Sequence, residues 1–77
     1  MSDADIAARL TAEASQAAGA ESALLSISIE MFARAEIASV RTKIERKTRA
    51  FVFVTSDAQS ADGQRVASAM SVHKLEG

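Results

Sequence analysis

The sequence predicts an α+β domain, one N-terminal helix packed on an antiparallel sheet of about four strands. Three observations predict it. Apolar residues recur at helical spacing over residues 3 to 18, the repeat falls to two from Ala23 onward, and Asp62-Gly63 marks a tight turn between strand-like runs. The chain has 77 residues, room for a single domain over residues 1–77.

The helix is expected over residues 3 to 18. Ser2 can cap it, and Asp3 and Asp5 sit in the first turn, where the helix dipole favours anions. Gly19 is placed to end it. Ile6, Leu10, Glu13, Ala14 and Ala17 fall on one face. That face combines two large apolar side chains, small alanines that let a sheet approach closely, and one carboxylate.

The first strand starts at Ala23. Leu25, Ile27, Ile29 and Met31 point one way, and Ser26, Ser28 and Glu30 the other. A second strand is expected from about residue 35 to 46, with Ala38, Val40 and Ile44 opposite Ser39, Arg41, Lys43 and Glu45. Residues 45 to 48 are the expected hairpin loop. The third strand, over residues 49 to 57, is apolar on both faces from Ala50 to Val54, which points to a central position. After Asp62-Gly63 a last strand runs from Gln64 to about Leu75. The simplest topology is a meander, each strand beside the next. The helix packs on one face of it, because its apolar stripe has no other cover.

Composition restricts the function classes. Hydrophobic residues make up 48% of the chain and charged residues 25%, a globular balance. Much of the apolar share is alanine, and the only large rings are three phenylalanines. So small a core gives little surplus over conformational entropy and calls for a staple. There is no cysteine for a disulfide and no cluster of metal ligands. The remaining staple is assembly, so a homodimer or higher homo-oligomer is expected, its sheet extended across protomers. The lack of cysteine, of a long apolar run and of a secretory leader makes a cytoplasmic protein without membrane contact the expectation. The net charge of −1, without interleaved surface aromatics, argues against nucleic acid. No phosphate or dinucleotide motif exists, and no cofactor is expected.

Three segments carry a family resemblance. Ser26 to Ala35, reading SISIEMFARA, is similar to a strand ending in phenylalanine and followed by an arginine-containing bend. Ile37 to Phe53 is similar to the next two strands with a basic hairpin between them. Asp62 to Ala69, reading DGQRVASA, is similar to a closing turn and strand of pattern D-G-x-x-V-A-x-A. In this order and spacing they resemble the second half of a hotdog-fold acyl-CoA thioesterase, over roughly two thirds of the chain; the family's first strand has no counterpart. The resemblance implies a curved antiparallel sheet wrapped on the helix, protomers paired edge to edge, and acyl-CoA as ligand. Ala8 to Ala14 resembles the segment bearing the family's catalytic carboxylate, and Glu13 falls on that position.

Glu13 is therefore the candidate base or nucleophile for thioester hydrolysis. The competing reading is a helix-surface glutamate, solvated or paired with an arginine. Arg41, Lys43, Arg46, Lys47 and Arg49 are candidate contacts for the phosphates of coenzyme A; otherwise they form a solvated hairpin that discourages edge aggregation. His73 is expected on a strand surface. Where the family commonly carries a histidine-glycine-glycine stretch, this chain reads Asp3-Ala4-Asp5-Ile6-Ala7. The alternative expectation is thus a non-catalytic hotdog-like domain that binds an acyl or CoA ligand, or serves only in assembly.

Overall fold

A computed structural model describes residues 2–76. Helix α1 spans Asp3–Ala18. The Ser2 hydroxyl accepts from the Asp5 amide at 3.1 Å, and the Asp5 carboxylate accepts from the Ser2 amide at 3.1 Å. This reciprocal box satisfies two of the amides that every helix start leaves without partners. The Ser2 amide, followed by its hydroxyl, also holds the Asp5 carboxyl below the usual carboxylate range. At the other end Gly19 takes φ 103°, which favours glycine, and its amide donates to the Ser15 carbonyl at 3.1 Å.

Four strands follow: β1 Ser22–Met31, β2 Ser39–Lys47, β3 Phe51–Gln59 and β4 Arg65–Leu75. They form one sheet in the order β1-β4-β3-β2, with every neighbouring pair antiparallel. The expected meander holds only for β2, β3 and β4. Strand β1 lies beside β4, at the opposite edge from β2. The cause is the connection over residues 32–38, which is no hairpin. Its start is tied to β4 by the Phe32 and Ala33 amides, which both donate to the Val66 carbonyl at 2.8 and 3.2 Å. Its end is tied to β3 by the Ala38 amide, which donates to the Gln59 carbonyl at 2.8 Å. Seven extended residues reach roughly 23 Å, more than the roughly 14 Å across three strand spacings. The crossing also helps cover the core, because Ala35 and Ile37 pack against it.

This order puts the two strands with buried rows in the middle. Val52, Val54, Ser56 and Ala58 of β3 face the helix, as do Ala67, Ala69, Ser71 and His73 of β4. The N-terminal half of α1 buries Ile6 and Leu10 against Ala58, Val66, Ala67 and Ala69, with Ile27, Ile29 and Val40 at the margins. Its C-terminal half buries Ala14 against Val52 and Val54, with Ala17, Ala18 and Leu75 alongside. Alanines line this seam on both sides, Ala14 and Ala17 from the helix and Ala58, Ala67 and Ala69 from the sheet.

Local register departs from simple alternation where the ladder shifts. One shift lies between Leu24 and Ser26, leaving Leu25 unpaired and 55% exposed instead of inward. Another lies between Ile44 and Arg46, and Ile44 at that edge is exposed. The β2–β3 hairpin turns at residues 48–50, later than expected. Its anchor is Thr48, whose hydroxyl accepts from the Phe51 amide at 3.0 Å and the Ala50 amide at 3.3 Å, a turn motif without glycine. The β3–β4 turn is where Asp62-Gly63 places it. Gly63 has φ 84°, its amide donates to the Ser60 carbonyl at 3.0 Å, and the Ser60 hydroxyl donates to Asp62.

Candidate functional site

The helix seam is the expected place for a catalytic carboxylate. The fully buried face of α1 is Ile6, Leu10 and Ala14. Glu13 lies on its shoulder, with its side chain 32% exposed. Its Oε1 accepts from Arg9 Nε at 3.2 Å, one helical turn back. The geometry is thus that of an arginine-paired helix glutamate. The three main surface hollows lie elsewhere, and Glu13 lines none of them.

The structure does not gather the five basic candidates with Glu13. Arg41 pairs with Asp57, Lys43 with Thr55 and Arg46 with Phe53, all on the sheet face turned away from the helix. Lys47 stands opposite Val52 on the helix side, and Arg49 is in the turn. All five are exposed. Lys43 has a local partner in Glu45 at 3.6 Å. Among the described residues no three potential ligands come together for a metal ion, and no helix is long and apolar enough to cross a membrane.

His73 corrects the surface expectation. It is 0% exposed and faces the helix, between Leu24 of β1 and Val52 of β3. Its Nε2 lies 2.8 Å from the Ser71 hydroxyl, and Nδ1 has no hydrogen-bond partner. Burial pushes the imidazole below its ordinary value, so it is neutral in the fold near pH 7. Counting by two from Ala67 and Ala69 reaches Ser71, His73 and Leu75. That parity was the signal for an inward histidine. The Ser71–His73 pair resembles a nucleophile and its base, but both side chains are buried beneath the helix.

The sheet face away from the helix is the open surface. Its centre is Phe53 and Val72, side by side on β3 and β4, with Phe51 and Met70 on either side along the strands. Met70 is 68% exposed and Phe51 36%. A shallow hollow of about 260 Å³ lies among Ser26, Ser28, Phe53, Thr55, Met70 and Val72. Polar residues frame it: Ser26, Ser28 and Glu30 on β1, and Arg41, Lys43, Glu45 and Arg46 on β2. At one end Asp57 accepts from Arg65 at 3.2 Å, and the same guanidinium stacks over Phe32 at 4.4 Å. No family model, curated protein or solved structure matches this chain. The hotdog resemblance gains no support from these comparisons.

Proposed function

We propose that the chain is a non-catalytic hotdog-like module that works through assembly with itself. One observation carries this reading: the open sheet face has apolar side chains at its centre and polar ones at its rim. Met70 projects from the middle strand β4 into solvent beside Val72 and Phe53. Apolar centre and polar rim are the anatomy of a protein interface. A small alanine-rich core gains from the extra burial that such an interface provides. The chemistry around Glu13 supports this reading too, because its carboxylate is engaged by Arg9. Sedimentation velocity over a range of concentrations tests the proposal. It requires a concentration-dependent mass above that of the monomer; a monomer throughout overturns it.

A second reading, acyl-CoA thioester hydrolysis, keeps Glu13 as base or nucleophile. It is favoured by the partial exposure of that carboxylate at the helix–sheet boundary, where water reaches it. Arg41, Lys43, Arg46, Lys47 and Arg49 would then hold the phosphates of coenzyme A. Free-thiol release from a panel of acyl-CoA thioesters decides it. Turnover that collapses in Glu13→Gln supports the enzyme, and no turnover from the folded native protein removes it.

A further inference from the structure

Resting on the assembly reading, we infer that the partner on the open sheet face is a second copy of this chain, stacked sheet on sheet about a two-fold axis parallel to the strands. The order of residues across the sheet sets this geometry. Reading from β1 to β2, one row is Glu30, Ser68, Asp57, Arg41. The next is Ser28, Met70, Thr55, Lys43, and the one after is Ser26, Val72, Phe53, Arg46. Charge is therefore arranged by edge: an acid on the β1 side, and on the β2 side three bases with one acid, Glu45, which pairs with Lys43 at 3.6 Å.

A face-to-face pair of identical sheets has two simple symmetric solutions. With the axis across the strands, β2 lies over β2 of the second copy. Arg41, Lys43 and Arg46 then stack on the same three cations, with Glu45 the one acid among them, so the contact is net repulsive. With the axis along the strands, β1 lies over β2 of the second copy and each row lies over its own reverse. Glu30 then faces Arg41 of the other copy, twice per dimer, while Val72 faces Phe53 and Met70 faces Thr55 at the centre. Within the chain neither Glu30 nor Arg41 belongs to any of the ion pairs among the described residues. Asp57, the cross-strand neighbour of Arg41, is taken by Arg65. The second copy supplies each of them with an opposite charge.

The area suffices for a modest interface. Nine residues of strand and the full width of four strands make a face of roughly 30 by 19 Å, so the pair covers roughly 1,100 Å² in total. That is at the low end for specific complexes, as expected of a reversible dimer. Aligned sheets pack in this way about 10 Å apart with interleaved side chains.

Sedimentation velocity and light scattering on the full chain and four variants test the inference. Met70→Glu puts a charge at the dry centre and is expected to weaken the dimer about a hundredfold. Met70 is exposed in the free chain, so the variant folds. Glu30→Arg and Arg41→Glu each place like charges together and are expected to weaken it about tenfold, while the double exchange restores native affinity. A native monomer at all concentrations overturns both the assembly reading and this geometry. A native dimer indifferent to Met70→Glu leaves assembly standing and overturns the choice of face. A dimer that responds to Met70→Glu, but is not restored by the double exchange, overturns the axis.

Discussion

Acidification from pH 7.5 to 5 is expected to destabilise the protein through His73. It is the only histidine in the chain. Its folded value is depressed by burial, while the unfolded chain titrates near 6.5. The unfolded state therefore binds the proton first. Stability is full above about pH 6.5 and is lost as pH falls below it, until the buried imidazole also protonates. The slope cannot exceed about 1.4 kcal/mol per pH unit for one group. The loss at pH 5 is therefore capped at about 2 kcal/mol. A chain of this size is stable by roughly 4 to 12 kcal/mol, so the effect is a large fraction of the whole. Leu24 and Val52 flank the ring, and among the described residues Ser71 is its one hydrogen-bond partner and Nδ1 has no acceptor for a second proton. Asp5 and Asp62 are both held below 3.8, so their contributions fade only in stronger acid. Urea unfolding followed by circular dichroism, at fixed protein concentration and several pH values, measures the slope. The native chain should lose stability below pH 6.5, and His73→Leu should be flat across that window. Equal slopes in both proteins, or none in the native chain, would refute the burial argument.

Two further changes probe the helix. Leu10, 0% exposed and packed between sheet and connection, should cost about 2–5 kcal/mol as Leu10→Ala, seen as a lower urea midpoint with unchanged m-value. Ser2→Ala removes one arm of the capping box and should cost about 1 kcal/mol; a helix equally stable to heat without it would mean that the Asp5 side chain suffices.

Local features of this fold were legible because their causes are local. Ser2, Asp5 and Gly19 bound a helix whichever sheet it meets, and the Asp62-Gly63 turn needs only its own residues. The doubly apolar run through Phe51 to Val54 placed β3 in the interior, where it lies. Strand order was not legible. Whether residues 32–38 turn back on β1 or cross to the far edge depends on Val66 and Gln59, more than twenty residues further on. The ladder shifts at Leu25 and Glu45 were hidden for the same reason, since a bulge belongs to a pair of strands. The basic candidates were seen as one cluster in the sequence, yet alternation and the turn at Thr48 divide them between two faces. Glu13 was legible as a member of the helix face, but its neighbour at i−4, Arg9, decides what its carboxylate does.

The remaining question is why the face, and not an edge, should meet the second copy. The hotdog resemblance implies edge pairing, and the sheet has two edges to offer. On the β2 edge Arg41, Lys43, Arg46 and Lys47 recur along nine residues. An antiparallel β2–β2 contact would bring these cations against one another, the arrangement that keeps natural edges apart. The β1 edge carries one charge after its bulge, Glu30, and exposes Leu24 and Leu25 beside that irregularity. Pairing there would have to continue a ladder already broken at Leu25, which shortens the regular strand available. The open face needs no backbone pairing and covers Met70, the most exposed large apolar side chain among the described residues. Since Met70 lies on central β4, Met70→Glu separates the cases. An edge-paired dimer would survive the substitution, and a stacked one would come apart.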